Sequence, residues 1–600
     1  MMSSSQAITP DGAKKLQAQL LADARLTLQS RSSELEMAAS VCGGKLTLFF
    51  SVCDGESRAV VLHFTGPDLS ALLSVAEPIL LETAGRTGKP WRWLRVDWIR
   101  AVQQPISLSR LKQDWKQVKR NYFRCGLAFD SDFRVAFTEQ ELNANACLYG
   151  GNEVPHVQLN EKNFQHYSNS RFGAELKLPF QDESAVWVFE TAGLFLSDAG
   201  MHAIDTSPRN EGRRVLEDLN ADTTRAVIDS ASKYLASQVR DSGQFVYGHF
   251  PVFGHEIPTY NTLRHASSVY AMLEAWELNR DDELMNAIRR AIDYLLKECI
   301  RVHELPGVGK LAFNVEIGEN EIKLGASAVA ILAFVKYDQL TGDTQYRALL
   351  EQLALGIAAM QNQHTGQFVH VLHADTLKLK EAFRIVYYDG EAAFALMRLY
   401  GLTKDPRWLF LVKKAFDYFI EAKHWKHHDH WLSYCVNELT LYTQDSRYFK
   451  FGVQNIFSYL DFIEKRETTF PTLLELCMAF EQMLRRIQAT PTLMHLLDGF
   501  DVEHFYRAMH TRANHLMNGF FFPEVAMYFK KPASVLGSFF IRHQAFRVRI
   551  DDVEHYLSGL IAYLKALESG ALSIDSIART GDVGPEVPSP EPKVSGPVVA

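Results

Sequence analysis

The sequence predicts a mainly α-helical protein in which a toroid of helices follows a smaller α+β domain. Three observations support this fold class. After residue 213, apolar residues recur with helical periodicity in twelve segments, short and long links alternate between these segments, and the stretch 324–335 is apolar on all sides. Because a helix that is apolar on all sides must be buried between other elements, the pattern favours an inner and an outer layer of helices.

The links between the predicted helices repeat in sequence. Four short links end in an aspartate that can accept hydrogen bonds from the free amides of the next helix. They comprise residues 278–282, 340–343, 402–405 and 442–445. The longer loops contain a glycine that permits a turn, followed by an aromatic residue that anchors the loop. This phrase occurs at residues 243–245, 366–368 and 519–520. We therefore expect short turns at one end of the toroid and functional loops at the other.

Length and composition divide the chain into parts. Its 600 residues exceed what one core accommodates, and 47% hydrophobic with 22% charged residues is typical of a soluble globular protein. The predicted parts are a polar lead-in at 1–35, an α+β domain at 36–215, the toroid at 216–570 and a disordered tail at 571–600. In the α+β domain we expect a hairpin of strands at 46–50 and 59–64, a helix capped by Asp68, a strand at 91–97 and an amphipathic helix at 107–123.

Charge and motifs disfavour several functional classes. A net charge of −8 gives no general footprint for nucleic acid, and the longest apolar run is too short to span a membrane. The seven cysteines are scattered without CxxC or Cys-His spacing, as expected for reduced thiols in a cytoplasmic protein. The sequence contains no phosphate-binding loop, GxSxG or dinucleotide fingerprint. We therefore expect no cofactor and no metal.

The helix alternation, the aspartate-ended turns and the glycine-aromatic loops together suggest a known architecture. Over about residues 220–568 the chain resembles the (α/α)6 toroid of six-hairpin glycosidases, uronyl hydrolases, polysaccharide lyases and N-acylglucosamine 2-epimerases. The same architecture serves terpenoid and lanthionine cyclases, but the chain has neither the DxDD acid motif of the former nor the Cys-His zinc pattern of the latter. The resemblance implies a carbohydrate-active enzyme.

In such a toroid the first turns of the six inner helices converge at the loop end. The residues predicted there include carboxylates for proton transfer, aromatic platforms for sugar faces and polar groups for hydroxyls. The predicted substrate-binding residues are Tyr260, Asn261, Arg264, Lys323, Tyr388, Asp429, His430, Trp431, Glu475 and Arg547. The predicted proton-transfer residues are Glu391, Asp389, Asp552, His555 and His265.

Two short stretches motivate the proton-transfer assignments, and each has a structural alternative. Asp389 can cap a helix while Glu391 projects a second carboxylate into a poorly solvated cavity, which would push the two pKa values apart. Alternatively, both acids only complement the helix dipole. Asp552 and His555 lie one helical turn apart, a spacing that suits an acid orienting an imidazole. A helix cap beside a hydrogen-bonded histidine is the alternative.

The stretch 424–431 contains four histidines, but their spacing fits no known zinc site. We therefore interpret Asp429 as a helix cap and His430 with Trp431 as pore-lining residues. Cationic residues expected near the same end indicate an anionic substrate such as a uronic acid. They are Arg264, Lys323, Arg384, Arg542, Arg547 and Arg549.

Three functional hypotheses follow from the sequence. The first is a cytoplasmic enzyme that acts on an acidic sugar or saccharide by hydrolysis or by acid/base proton transfer, for which a pair of carboxylates is expected. The second is a sugar epimerase of the same fold, for which two histidines on opposite walls are expected. The third is a non-catalytic scaffold that binds a polymer or protein partners, with the N-terminal domain contributing, in an exopolysaccharide, capsule or peptide-modification assembly.

Overall fold

The computed structural model describes residues 10–217, 219–307 and 309–572. These residues form two compact units. The first contains the described chain up to Glu217 together with the segments 248–257 and 518–548, and the second contains the rest. The predicted domain ranges assign both segments to the toroid, whereas they pack in the first unit. The predicted tail lies outside the described residues except for its first two positions.

The first unit contains a mixed arrangement of helices and strands. Its first helices are α1 Pro10–Ser30, α2 Ser32–Val41, α3 Leu69–Glu82, α4 Leu108–Asp114, α5 Glu139–Ala144 and α6 Glu161–Phe172. Its first strands are β1 Leu46–Cys53, β2 Val60–Gly66, β3 Trp93–Val102, β4 Ile106–Ser107, β5 Gly126–Ala128, β6 Ala136–Phe137, β7 Ala185–Ser197 and β8 Gly200–Ala203. Among the described residues these strands form one antiparallel sheet in the order β2-β1-β3-β7-β5-β6, and β4 and β8 also pair with β7. Apolar side chains of β1, β3 and β7 form a core with α1, α2 and α3.

Most local predictions for this unit are confirmed, and one is wrong. Strands β1 and β2 form the predicted hairpin, and the side chain of Asp68 accepts a hydrogen bond from the amide of Ala71 at the start of α3. The predicted helix at 107–123 is too long, because α4 ends at Asp114. The chain then forms a 3-10 turn that buries Trp115, which is 1% exposed, and Asn121 adopts a positive φ of 64°.

The second unit is built from long helices. They are α7 Ala221–Gln238, α8 Thr262–Asn279, α9 Asp282–Tyr294, α10 Leu324–Thr341, α11 Arg347–Ala359, α12 Tyr387–Thr403, α13 Pro406–Glu421, α14 His430–Leu439, α15 Ser446–Phe457, α16 Leu460–Lys465, α17 Thr472–Gln488, α18 Val502–Leu516 and α20 Ile550–Glu568, while α19 Pro523–Ala526 belongs to the first unit. Helices α8, α10, α12, α14, α17 and α20 contact one another in that order, and α20 contacts α8, so they close a ring. Helices α7, α9, α11, α13, α15 and α18 pack outside it. The predicted six-hairpin (α/α)6 toroid is therefore confirmed.

The repeated aspartates explain where several outer helices begin. Asp281, Asp405 and Asp445 each accept a hydrogen bond from a backbone amide in the first turn of α9, α13 and α15 respectively. Asp343 accepts from the amide of Gln345 instead, and α11 begins only two residues later. The predicted capping role is thus confirmed for three of the four links, although in the link 278–282 the cap is Asp281 and the last residue, Asp282, already belongs to the helix. In the fourth link, Asp343 stabilises the turn before the helix.

Two glycines of the repeated loop phrase occupy equivalent places in the toroid. Gly243 and Gly366 have positive φ values of 87° and 81°. A Cβ atom at these positions would lie 2.1 Å from the carbonyl oxygen of Arg290 and 2.2 Å from that of Lys414. Both the backbone conformation and the close approach therefore require glycine. The third occurrence of the phrase, at 519–520, lies in the first unit.

The long loops contain short strands that the sequence did not predict. In chain order the remaining strands are β9 Gly248–Phe250, β10 His255–Glu256, β11 Ile300–Leu305, β12 Gly309–Glu316, β13 Glu321–Lys323, β14 Val371–His373, β15 Leu379–Glu381 and β16 Val548–Arg549. In the part of the second unit that the structure describes, β11 to β15 form an antiparallel sheet in sequence order. Strand β13 leads directly into α10, so this sheet lies at the loop end of the toroid. No helix in the described ranges has the length and apolarity needed to cross a membrane.

Candidate active site

The amino-terminal turns of the inner helices bring acidic and basic side chains together inside the second unit. Glu391 lies on α12, His430 on α14, Glu475 on α17, and Glu554 and His555 on α20. The first four are buried, and the side chain of His555 is 22% exposed. The sequence predicted this convergence for all of them except Glu554.

Glu475 is the centre of this group. Its Oε2 atom accepts a hydrogen bond of 2.8 Å from Nδ1 of His555, and its Oε1 atom accepts one of 3.2 Å from the hydroxyl of Tyr434. The Nε2 atom of His430 lies 4.0 Å from the same Oε2 atom. Burial lowers the pKa of His555, but the carboxylates of Glu554 and Glu475 raise it further, to about 10. In this arrangement Glu475 and His555 form an ion pair.

A carboxylate lies behind each of the two histidines. Oδ1 of Asp429 is 3.4 Å from Nδ1 of His430, and Oε2 of Glu554 is 3.6 Å from Nε2 of His555. The two imidazole rings meet edge to face, with their centroids 5.2 Å apart. Among the described residues, Nε2 of His430 and both carboxyl oxygens of Glu554 have no hydrogen-bond partner. Burial raises the pKa of Glu554 to about 8, with Glu475 adding to the effect and His555 opposing it.

Glu391 occupies a space that Gly325 leaves open, and Gly390 leaves room in the same way for Asp429. Its Oε2 atom is buried and has no hydrogen-bond partner within the described chain. Burial raises its pKa to about 8, with Asp429 adding to the effect and His555 opposing it. A Cβ atom at Gly325 would lie 1.9 Å from this Oε2 atom, and one at Gly390 would lie 2.5 Å from a carboxyl oxygen of Asp429. Only glycine at these two positions accommodates both carboxyl groups where they stand.

Asp389 points to a different partner from the one that the sequence suggested. Its Oδ2 atom lies 3.3 Å from Nε2 of His370. Because Nδ1 of His370 accepts the backbone amide of Arg384 at 3.0 Å, the ring proton is on Nε2 and is donated to Asp389. The structure thus joins Asp389 to a loop histidine rather than pairing it with Glu391.

His265 and Tyr260 form a closed chain of hydrogen bonds. The amide of Phe245 donates to the hydroxyl of Tyr260, which lies 2.7 Å from Nδ1 of His265, and Nε2 of His265 donates to the carbonyl of Ala291 at 2.8 Å. Burial lowers the pKa of His265 to about 4. With both ring nitrogens engaged and the ring neutral, the predicted proton-transfer role of His265 and the binding role of Tyr260 are replaced by a structural one.

The predicted pairing of Asp552 with His555 is also corrected. Asp552 accepts a hydrogen bond of 3.2 Å from the amide of Arg549 and lies 3.7 Å from its guanidinium group. It therefore caps α20, which was the structural alternative. The acid that orients His555 is Glu475, which comes from the neighbouring inner helix and not from the same turn.

The predicted anchors for an anionic substrate on the first and last inner helices are occupied. Asp551 binds Nε of Arg264 at 2.9 Å and forms two hydrogen bonds of 2.9 Å with the guanidinium of Arg549. Asn261 caps α8 by accepting the amide of Arg264 at 3.1 Å. Arg547 belongs to the first unit. These predicted binding residues thus have structural partners or lie outside the toroid unit.

The cations beside α10 are neutralised in the same way. Nζ of Lys323 lies 2.9 Å from Glu316 and 3.0 Å from Glu319. Arg384 forms two hydrogen bonds with Glu321, of 2.8 Å and 2.9 Å. The positive charges of Lys323 and Arg384 are therefore compensated by carboxylates of the protein itself.

Aromatic side chains line the cluster. The ring of Trp431 lies 5.0 Å from that of His430 and 6.4 Å from that of His555, and the ring of Tyr387 lies 5.7 Å from that of His430. Tyr388 packs beside Gly325, where an added Cβ atom would meet its ring at 2.8 Å. Trp431 and Tyr388 therefore lie next to the acidic and basic side chains of the cluster, where the sequence placed them.

The sequence reasoning missed Glu554 and the role of Gly325. Glu554 is a carboxylate among the apolar residues of α20, and that placement was the available signal for a buried acid. Gly325 lies in the all-apolar helix α10, where we interpreted the small residues as a means of close packing. Its contact with Glu391 depends on a neighbouring helix and leaves no local signal.

No protein family and no curated protein matches the sequence. Among solved structures, a D-mannose isomerase is 12% identical with a TM-score of 0.44, covering 57% of this chain and 98% of that one. A cellobiose 2-epimerase from Spirochaeta thermophila DSM 6192 is 12% identical with a TM-score of 0.43, covering 59% and 98%. An unsaturated glucuronyl hydrolase specific for heparin is 10% identical with a TM-score of 0.40, covering 58% and 99%. Each of these structures matches over nearly its whole length and over little more than half of this chain.

Proposed function

We propose that the second unit is an enzyme that transfers a proton on an uncharged saccharide, as a sugar epimerase or isomerase does, with Glu391 as the acid/base group. The observation that carries this proposal is the buried Oε2 atom of Glu391, which has no hydrogen-bond partner among the described residues and lies where Gly325 leaves room for it. A carboxyl group with a pKa of about 8 is present in both protonation states near neutral pH. Such a group can remove a proton and return it.

The surroundings of Glu391 suit a saccharide. Tyr387, Tyr388 and Trp431 provide aromatic surfaces around the acids, and binding sites for small molecules combine such surfaces with a few polar groups that fix orientation. The hydroxyls of a sugar can both donate to carboxylates and accept from an imidazole. This combination supports a sugar over an apolar substrate.

The charges support an uncharged sugar rather than the acidic one that the sequence suggested. Each predicted cationic anchor in this unit is already paired with a carboxylate of the protein, as Lys323 is with Glu316. An anionic substrate would bring an additional charge into a buried site whose cations are already neutralised, which is unfavourable. We therefore propose a neutral aldose or a neutral oligosaccharide.

Proton transfer fits the carboxyl groups better than glycoside hydrolysis does. Hydrolysis uses one protonated and one ionised carboxyl group on either side of the scissile bond. Burial raises the pKa of both Glu391 and Glu554, and both oxygens of Glu475 accept hydrogen bonds from protein groups. A second carboxylate that is ionised and free to act alongside Glu391 is therefore missing from the described part of the cluster.

The two-histidine arrangement expected for an epimerase is also modified. The centroids of His430 and His555 are 5.2 Å apart. A sugar ring between two flat groups needs van der Waals contact on each side, or about 7 Å in total. These histidines therefore form one wall, and Glu391 is proposed as the group that exchanges the proton.

The proposal is tested by incubating the protein with a panel of neutral aldoses and disaccharides in deuterated water. We expect deuterium from the solvent to enter sugar that has not been hydrolysed, as detected by nuclear magnetic resonance. In Glu391→Gln the rate of this exchange should fall about 10²- to 10⁴-fold. Glu481→Gln is the matched control, because Glu481 is also buried on an inner helix but is paired with Arg485 at 2.9 Å. Release of monosaccharide without label in the substrate would support hydrolysis. Absence of both reactions with every sugar would support the scaffold hypothesis.

A further inference from the structure

Three side chains of the cluster direct one potential ligand atom each towards a common point. They are His430, Glu475 and His555, from α14, α17 and α20, and their ligand atoms all lie within 4.8 Å of one another. In sequence, His430 and Glu475 are 45 positions apart and Glu475 and His555 are 80 apart, so no spacing motif could reveal them. Only one other group of this kind occurs among the described residues.

We propose that His430, Glu475 and His555 bind a divalent transition-metal ion. Two imidazole nitrogens and one carboxylate oxygen form a donor set that suits zinc and related ions. Three protein ligands also leave a coordination position open, as in catalytic rather than structural zinc sites. That position can take a sugar oxygen.

The first supporting observation is the state of His430. Its side chain is 4% exposed, and its Nε2 atom has no hydrogen-bond partner in the described chain. This atom lies 4.0 Å from Oε2 of Glu475. Buried polar atoms are almost always paired, so an unpaired imidazole nitrogen facing a carboxylate indicates a missing partner. A metal ion bound to Oε2 of Glu475 would supply that partner.

The second observation is the carboxylate behind each histidine. Asp429 lies 3.4 Å from Nδ1 of His430, and Glu554 lies 3.6 Å from Nε2 of His555. Histidines that bind metals commonly donate their second ring N–H to a carboxylate, which fixes the ring and strengthens the metal bond. The remaining atoms, Nε2 of His430 and Nδ1 of His555, are the ones directed at Glu475. Each histidine therefore has a carboxylate within 3.6 Å of the ring nitrogen that does not face Glu475, close enough to orient the ring when a metal ion is bound.

The other group of potential ligands provides a contrast and a control. It consists of Asp461, Glu464 and His504, of which Asp461 is exposed and the other two are half-buried. Glu464 already binds Nε2 of His504 at 2.9 Å and Nε of Arg507 at 3.2 Å. A cation beside this carboxylate would have to compete with an arginine.

The ion would lie in the site of the proposed function, but its binding can be measured without any sugar. Metal binding can fail while Glu391 still exchanges protons, and the reverse also holds. In the absence of an ion, Nδ1 of His555 donates a proton to Glu475. The ion would replace this proton, so binding should release protons and strengthen as the pH rises.

The experiment uses the full chain after chelator treatment and dialysis. Cobalt(II) alone is added, and its visible absorption is recorded before zinc(II) is added as a competitor. We expect one equivalent of cobalt to bind with the absorption of a site that contains nitrogen ligands, zinc to displace it, and magnesium to have no effect. Zinc should also raise the thermal unfolding temperature of the wild type, because a ligand that binds only the folded state stabilises it.

Variants localise the ion. His430→Gln and Glu475→Gln should each weaken cobalt binding by more than about 100-fold, and Asp429→Asn, which keeps the helix cap, should weaken it about 10- to 100-fold. His504→Gln should bind as the wild type does. No cobalt binding by the wild type, unchanged binding in His430→Gln, or loss of binding in His504→Gln would each overturn the assignment. The wild-type result decides the question even where a variant does not fold.

Discussion

At the scale of single residues, the hydrogen-bond partners of a polar side chain indicate whether it can take part in a reaction or only stabilises the fold. Glu391 is buried with an unpaired oxygen, whereas both ring nitrogens of His265 are engaged by Tyr260 and the carbonyl of Ala291. Within the described chain, Glu391 therefore has a carboxyl oxygen that can exchange a proton with a substrate. Both ring nitrogens of His265 are already hydrogen-bonded. Two predictions at this scale follow from that difference.

The first concerns the pH dependence of stability. Burial raises the pKa of Glu391 from 4.5 to about 8, so between these values the folded protein holds a proton that the unfolded chain releases. The stability that Glu391 contributes is fully present below about pH 4.5 and is lost as the pH rises through 8, at up to about 1.4 kcal/mol per pH unit. Urea unfolding should therefore show the wild type losing stability relative to Glu391→Gln over this window.

Glu277→Gln is the control for this measurement. Burial raises the pKa of Glu277, but Lys336 and Lys565 lower it further, to about 2. Its contribution is present above about pH 4.5 and is lost only as the pH falls towards 2, so it should not vary between pH 4.5 and 8. Parallel curves for wild type and Glu391→Gln would contradict the burial of an ionisable group at position 391.

The second prediction concerns His265→Gln. Loss of its two buried hydrogen bonds should lower the free energy of unfolding by about 1–3 kcal/mol, measured by urea denaturation. The pH profile of deuterium exchange should keep its shape, because His265 does not exchange protons in this account. His364→Gln, on an exposed loop, should change neither quantity. A shift of the exchange profile in His265→Gln would restore the catalytic role that the sequence suggested.

At the scale of secondary-structure elements, close approach of inner helices sets the site. Helices α10 and α12 approach so closely that Gly325 leaves space for the carboxyl group of Glu391. The convergence of first turns likewise brings Glu475 of α17 to His555 of α20. The position of the reactive groups is therefore a property of helix packing as much as of the residues themselves.

Gly325→Ala tests this packing. The new Cβ atom would lie 1.9 Å from Oε2 of Glu391 and 2.8 Å from the ring of Tyr388, so the carboxyl group must move. We expect a loss of stability of about 1–3 kcal/mol and a fall in exchange rate of at least about 10-fold. Gly559→Ala is the matched control on another inner helix, because its nearest atoms, in the side chain of Leu474, lie 3.3 Å away. Equal rates in the two variants would contradict the role assigned to Gly325.

At the scale of the whole molecule, the toroid could be predicted because its signals are local. Helical periodicity and capping aspartates such as Asp405 depend on neighbours in sequence, and alternating short and long links then define the pairs of helices. The same pattern predicted that Glu391, Glu475 and His555 would meet at one end. The two segments that pack in the first unit, 248–257 and 518–548, have no local feature that separates them from the toroid loops.

Most residues of the site could be predicted from the sequence, but the hydrogen bonds and ion pairs that they form with one another could not. Asp552 and His555 share a helix face, yet Asp552 caps the helix beside Arg549 and Glu475 takes the imidazole. Arg264 looked like an anchor for a substrate carboxylate, but it binds a carboxylate of the protein. Which partner a polar side chain chooses depends on residues that are distant in sequence, so one sequence alone leaves this choice open.

The most direct test of the central claim is the rate of deuterium exchange into a neutral sugar as a function of pH. If Glu391 acts as the base, kcat/KM in the wild type should rise with pH through a pKa of about 8, because the ionised carboxylate is the active form. The residual rate of Glu391→Gln should lack this rise. A rate that falls through the same range, or the same profile in both proteins, would contradict the account.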